Sequence, residues 1–133
     1  AHDPAGCVGC NALPDFSKSL AVVAADAMGL GACNGTLGAV AEFGRNAREN
    51  GSNGTDHGRG TVMFAMGKNI AGGRVMVNSW PGLAQANLEN GQDLKVTIDY
   101  RDILAEIVQN RLGSTNLPTV FPGWTATMRG ATR

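Results

Sequence analysis

The chain has 133 residues, of which 43% are hydrophobic and 17% charged, and eleven basic and eleven acidic residues leave no formal net charge. This balance is typical of one folded domain and excludes a disordered chain. A neutral chain has no overall field to attract nucleic acid, and no apolar run approaches the roughly 20 residues that span a bilayer, so neither nucleic acid nor a transmembrane segment is expected.

The first part of the chain shows no periodicity. Residues 1–14 mix Gly, Pro and Cys and are predicted to form an irregular lead-in. The first residue is Ala1 instead of Met, as expected of a processed or excised chain. Cys7 and Cys10 form a C-x-x-C pair and Cys33 stands alone, so one disulfide with a free thiol and three free thiols both remain open.

A first helix is predicted over residues 16–30. Asp15 is placed to cap its start, and Gly31 follows its end. The spacing of three and four residues that indicates one apolar helix face is carried by Leu20, Val23, Ala24, Ala27 and Leu30.

Short strands are predicted on both sides of a long polar loop. Residues 36–41 read as a buried strand whose end presents Glu42, and residues 61–66 read as the next strand. Between them, residues 45–60 are polar and rich in glycine, which indicates a surface loop with a function. A third strand is predicted over residues 74–77.

The second helix is predicted over residues 99–112. Asp99 is its expected cap, Asp102 adds negative charge to the first turn, and Gly113 ends it. The apolar face of this helix is predicted to consist of Ile103, Leu104, Ile107, Val108 and Leu112. The segment that follows, residues 117–124, contains prolines and aromatic side chains that can pack on the core.

Two polar stretches carry the chemistry, residues 42–45 and residues 54–60, and they converge if the two strands are neighbours. Carboxylate and imidazole ligands suit Zn, Mn or Fe, whereas guanidinium groups bind phosphate or sulfate. The predicted metal ligands are Glu42, Asp56 and His57, and the predicted oxyanion-binding residues are Arg45, Arg48 and Arg59. The alternative also remains open that Glu42 and Arg45 form a salt bridge while Asp56 and His57 are ordinary loop residues.

The order of several motifs resembles a known bacterial family. The segments EFGRNARENGSNGTDHGRGTVMFAMG, GGRV, WPGL, DYRDILAEIVQNRLG and VFPG follow one another as in the C-terminal part of the domain of unknown function 1501. That family looks like a branch of the alkaline phosphatase and sulfatase superfamily. The resemblance implies an α/β fold, the C-terminal part of a three-layer α/β/α domain in which helices flank a short sheet. The implied division is a lead-in over 1–14, this segment over 15–126 and a tail over 127–133.

The resemblance also implies a function. Such proteins use divalent metals to hydrolyse phosphate or sulfate esters, here with an incomplete chain whose nucleophile and further ligands lie on an upstream polypeptide. Glu42 matches the Asp of the family's Asp-His-Gly metal motif, His57 matches a metal-binding His, and Asp56 would orient the site. Phe43 stands where the metal-binding His of that motif is expected, which puts the second metal in doubt. The implied location is periplasmic or secreted, and the alternative function is a non-catalytic structural or binding subunit.

Overall fold

The computed structural model describes residues 8–29 and 35–133, and within these ranges the fold is mixed α/β with antiparallel strands. The predictions that concern Ala1, Cys7, Leu30, Gly31 and Cys33 lie outside the described residues. The helices and strands are α1 (Val8–Gly29), β1 (Thr36–Val40), β2 (Gly44–Arg45), β3 (His57–Gly58), β4 (Met63–Gly67), a 3-10 turn (Gln85–Asn87), α2 (Tyr100–Leu112) and α3 (Leu117–Val120).

Helix α1 begins earlier than the sequence indicates. It starts at Val8, so the prediction of irregular structure is wrong for residues 8–14, and Asp15 lies inside the helix instead of capping it. Irregular structure was predicted because these residues show no apolar periodicity and mix Gly, Pro and Cys. Ala12 and Leu13 are nevertheless good helix formers and favour a helix without such a pattern.

Strands β1 and β4 form a two-stranded antiparallel sheet. The register runs from the pair Thr36 and Gly67 to the pair Val40 and Met63, which confirms the positions of the two predicted strands to within two residues at their ends. Their predicted burial is wrong, since every residue of both strands is half-buried or exposed. Phe64 of β4 lies against Phe16 of α1 with ring centroids 5.7 Å apart, and this ring pair joins α1 to the sheet.

The third predicted strand is wrong. Val75 is 87% exposed and residues 74–77 pair with no other strand of the described chain, because β-branched residues favour a strand only where a neighbour supplies hydrogen bonds and packing. The chain pairs a little earlier, where Ile70 forms an isolated antiparallel bridge with Thr132. The C-terminal residues therefore lie beside the segment that follows β4.

Helix α2 has the predicted caps, but the apolar face predicted for it is not its most buried face. The Asp99 carboxylate accepts a hydrogen bond of 2.9 Å from the Arg101 N–H, and Gly113 ends the helix at φ 68°. The residues with the least exposure are Asp102 (1%), Ala105 (0%) and Glu106 (2%). Two carboxylates thus occupy the most protected face of this helix.

These two carboxylates, called here the carboxylate anchor (Asp102 and Glu106), hold the C-terminal segment. Glu106 accepts hydrogen bonds from the backbone N–H groups of Arg129 (2.7 Å), Gly130 (2.9 Å) and Thr132 (2.7 Å), and from the Thr132 hydroxyl (2.9 Å). Since a buried carboxylate is stable only when its lone pairs find donors, the anchor and the segment require each other. The division predicted at residue 126 stays a prediction, although the residues after it pack on α2.

Asp102 makes the other half of the anchor. It accepts hydrogen bonds from the Trp124 indole N–H (3.1 Å) and the Thr127 N–H (3.0 Å), and its second oxygen lies 2.7 Å from Nη2 of Arg129. The Arg101 guanidinium carbon lies 3.8 Å from the centre of the Trp124 ring, a cation–π contact that covers the indole. This contact fulfils the expectation that an aromatic residue near the C-terminus packs on the core.

The pKa values of both anchor carboxylates lie below their ordinary values. Burial raises the pKa of Asp102, but hydrogen bonds from Thr127, Arg129 and Trp124 outweigh it, and the net pKa is lowered. Burial likewise raises the pKa of Glu106, and the donors from Thr132, Arg129 and Gly130 bring the net pKa below its usual value. Both groups are therefore held as carboxylates by the donors of the C-terminal segment.

Apolar burial is sparse in the part of the chain that the structure describes. Its buried hydrophobic residues are Leu88, Ala105 and Ala131, whereas Val40 is 53% exposed and Phe64 43%. No helix among the described residues has the length and apolar character needed to cross a membrane. Polar contacts such as the carboxylate anchor consequently contribute much of the order in the C-terminal half.

Candidate functional site

The two polar stretches do converge. Because β1 and β4 are antiparallel neighbours with Val40 opposite Met63, the chain leaving β1 and the chain entering β4 lie side by side. The ribbon β2–β3 extends this arrangement, with Gly44 opposite Gly58. We call residues 42–60 the site hairpin, and part of the stretch predicted as a loop is therefore a short antiparallel ribbon.

The predicted site residues Arg45 and His57 lie together on the hairpin, and the Phe43 side chain contacts both. Arg45 and His57 are direct cross-strand partners, and residues opposite each other in a sheet project to the same face. The imidazole of His57 stacks on the Phe43 ring with centroids 3.8 Å apart and planes 24° from parallel. The Arg45 guanidinium carbon lies 5.1 Å from the centre of the same ring. The Phe43 ring therefore contacts both the imidazole and the guanidinium group.

Asp56 belongs to a different environment. It precedes β3, and its side chain has a different partner from that of His57. Its carboxylate accepts a hydrogen bond of 2.8 Å from the side-chain N–H of Asn50. The Asn50 side-chain oxygen in turn accepts from the N–H groups of Ser52 (2.9 Å) and Gly54 (3.1 Å), which fixes the tip of the hairpin. Asp56 thus stabilises the turn.

The other predicted site residues lie at the surface. Arg59 forms an ion pair with Glu89, outside the hairpin, and its charge is offset there. Glu42 and Arg48 are exposed, and no ion pair joins Glu42 to Arg45. Arg45 instead donates a hydrogen bond of 2.6 Å to the Thr55 carbonyl oxygen. The alternative of a salt bridge between Glu42 and Arg45 is therefore wrong, and no carboxylate of the described residues pairs with Arg45.

The three predicted metal ligands are not brought together. Within residues 8–29 and 35–133, no group of three or more His, Cys, Asp or Glu side chains is arranged to hold a metal ion. The Asp56 carboxylate is engaged by Asn50, and Phe43 covers one face of the His57 imidazole. Glu42, Asp56 and His57 by themselves therefore do not fit a metal centre.

Backbone packing holds the site hairpin in place. A Cβ atom at Gly44 would lie 2.2 Å from the Gly60 carbonyl oxygen, so only glycine allows the chain to pass at this point. Behind the hairpin, the Ala47 N–H donates to the Gln92 carbonyl oxygen (2.9 Å), and Asn46 forms a bridge with Asp93. The segment around residues 89–93 thus supports the ribbon from outside it.

Three residues of the site escaped prediction, namely Phe43 as a stacking partner, Asn50 as the organiser of the turn and Glu89 as the partner of Arg59. For Asn50 the Asn-Gly dipeptide was an available signal, since asparagine side chains often accept hydrogen bonds from the amides of a turn. Glu89 lies 30 positions from Arg59, and nothing local in the sequence links them.

The architecture and the hairpin define a small mixed α/β chain with a basic, glycine-rich ribbon at the end of a two-stranded sheet. A family model described as a protein of unknown function, DUF1501, matches residues 11–116. The chain belongs to this family, which confirms the resemblance seen in its motifs. Comparison with curated proteins and with solved structures finds no match.

Proposed function

We propose that the site hairpin binds the phosphate or sulfate group of an anionic ester, as part of a hydrolase-like protein of the alkaline phosphatase and sulfatase superfamily. The observation that supports this is the pairing of Arg45 with His57 on one face of the ribbon. A guanidinium fork and an imidazole are both able to donate hydrogen bonds to an oxyanion.

The electrostatics of the hairpin favour an anion. Arg45 has no carboxylate partner among the described residues, and the acidic neighbour Asp56 is engaged by Asn50 at 2.8 Å. Arg48 adds a second exposed guanidinium nearby in sequence. The exposed face around Arg45 and His57 thus carries positive charge without a fixed counterion, and it is open to solvent.

Binding and turnover can be measured separately. Titration calorimetry with inorganic phosphate and with sulfate should show that Arg45→Gln weakens binding roughly tenfold, because a charge-assisted hydrogen bond is lost. Hydrolysis of p-nitrophenyl phosphate and p-nitrophenyl sulfate, with Zn or Mn and with a chelator, reports turnover. Arg133→Gln removes a positive charge away from the hairpin and serves as the matched control. Equal phosphate affinity in wild type and Arg45→Gln would overturn the proposal.

Metal dependence and an additional polypeptide are part of the same proposal. His57 would supply one ligand for Zn, Mn or Fe, and the other ligands and the nucleophile would come from residues beyond the hairpin. The exposed apolar surface of the small sheet, which includes Val40 at 53% and Phe64 at 43%, supports an upstream polypeptide that covers it. The proposed location is the periplasm or the cell exterior, and fractionation of cells that make the protein tests it.

A non-catalytic structural or binding role is the second candidate. It is favoured by the stack of Phe43 on His57 at 3.8 Å, because an aromatic ring that covers the imidazole restricts metal access to it. Phe43→His replaces this ring by a second imidazole beside His57. We expect the variant to bind Zn more tightly than wild type, since two imidazoles hold Zn better than one.

Metal content by mass spectrometry after dialysis tests this expectation, with Phe43→Leu as the control that removes the ring without adding a ligand. Greater Zn retention in Phe43→His than in Phe43→Leu is the expected result. Equal retention in the two variants would show that an imidazole at position 43 adds no zinc ligand beside His57.

A further inference from the structure

A solvent-open cavity lies away from the site hairpin. It has a volume of about 300 Å³, at the lower end of the range for small-molecule sites, and opens to solvent. Its walls combine four aliphatic side chains with two guanidinium groups, contributed by Arg74, Val75, Met76, Val77, Ile98 and Arg129. None of these residues belongs to the hairpin, so a ligand here would be independent of the proposed ester site.

The two arginines are held in place by different partners. Arg129 donates from Nε to Asp102 at 2.9 Å and from Nη2 at 2.7 Å, and the acceptor carboxylate is 1% exposed. Arg74 donates from Nε to the Ala71 carbonyl oxygen at 3.1 Å and from Nη2 to the Gly130 carbonyl oxygen. Both guanidinium groups are therefore oriented before any ligand arrives, which lowers the entropy lost on binding.

The cavity lining within the described residues holds two guanidinium groups and no carboxylate. Arg129 is ion-paired with Asp102, whereas Arg74 donates to the carbonyl oxygens of Ala71 and Gly130. Arg74 is therefore the lining charge that is left for an anionic ligand. Next to this single charge, Met76 and Ile98 are half-buried and provide an apolar wall.

We propose that this cavity binds an amphipathic monoanion, in which a carboxylate or sulfonate group meets Arg74 and an aryl or alkyl group packs on Met76 and Ile98. The Arg74 guanidinium favours one anionic group on the ligand, and the aliphatic lining favours an apolar group attached to it.

Naphthalene-2-sulfonate is a suitable probe, and 2-naphthol is its neutral counterpart. We expect saturable binding of one sulfonate per chain by titration calorimetry at low salt, with 2-naphthol at least tenfold weaker. Arg74→Gln should weaken the sulfonate roughly tenfold, and Lys18→Gln, which removes a positive charge from α1, should not change it. Equal affinity for 2-naphthol, or equal affinity of Arg74→Gln and wild type, would overturn the proposal.

A second pair of variants keeps the test valid if Arg74→Gln loses stability, because Arg74 also contacts the C-terminal segment. Val75 is 87% exposed, so replacing it leaves the fold intact. Val75→Asp places a negative charge on the cavity wall and should weaken the sulfonate at least fivefold. Val75→Asn is its neutral match and should bind the sulfonate at least fivefold more tightly than Val75→Asp. If Val75→Asp and Val75→Asn bind it equally, the cavity does not select an anion.

Discussion

Glu106→Gln is expected to lower the free energy of unfolding by about 2–4 kcal/mol, a large part of the stability of a small domain. Glu106 is 2% exposed and accepts four hydrogen bonds, which come from Arg129, Gly130 and Thr132. A carboxamide has nearly the same shape but only one accepting oxygen. Its N–H₂ group would face backbone donors and leave them without an acceptor.

Urea unfolding followed by tryptophan fluorescence measures this difference, because Trp124 belongs to the same cluster through its hydrogen bond to Asp102. Glu49→Gln makes the same chemical change at an exposed position and should alter the free energy of unfolding by less than about 0.5 kcal/mol. A Glu106→Gln variant as stable as Glu49→Gln would show that the C-terminal segment does not depend on this carboxylate.

The same variant should also change the response to acid. The pKa of Glu106 is lower in the folded chain than its usual value of about 4, so its contribution to stability is present above that pH and is lost as the pH falls through the folded pKa. The stability difference between wild type and Glu106→Gln should therefore be largest at pH 7 and shrink at pH 3. A difference that stays constant between these values would contradict the role of the ionised carboxylate.

Local signals predicted α2 and the two paired strands. The cap Asp99 and the terminal Gly113 act within one helical turn of the residues they affect, so the sequence alone places both ends of α2. The buried face of α2 was not predictable in this way. The hydrogen-bond donors that satisfy the Glu106 carboxylate lie 23 to 26 positions further along the chain. A periodic apolar pattern cannot reveal that the most protected side chains are two carboxylates.

In the candidate site, too, local sequence predicted some features, whereas others depend on contacts between distant residues. The polar, glycine-rich composition of residues 45–60 predicted the connection, and the convergence of its two ends followed from strand pairing. Asp56 and His57 have different partners, Asn50 and Phe43, and adjacency in sequence indicates neither contact. The hairpin's register, with Arg45 opposite His57, was needed to see which residues share a face.

That register depends on Gly44, and Gly44→Ala is expected to destabilise the hairpin by about 3 kcal/mol. An added Cβ would lie 2.2 Å from the Gly60 carbonyl oxygen, and because this contact is with backbone, no side-chain rotation relieves it. The clash would also break the hydrogen bond of 3.2 Å from the Arg45 N–H to that oxygen. Faster hydrogen exchange at the amides of Arg45 and Asn46 would locate the damage in the ribbon.

Gly51→Ala separates this effect from the general consequence of replacing a glycine. Gly51 lies at the tip of the same hairpin, where an added Cβ meets no atom within 4 Å and the backbone is not left-handed. Alanine there should leave stability unchanged or raise it by about 0.4–1 kcal/mol, since it restricts the unfolded chain. If phosphate binds through Arg45 and His57, Gly44→Ala should abolish binding and Gly51→Ala should preserve it. Retained binding in Gly44→Ala would place the anion outside the ribbon.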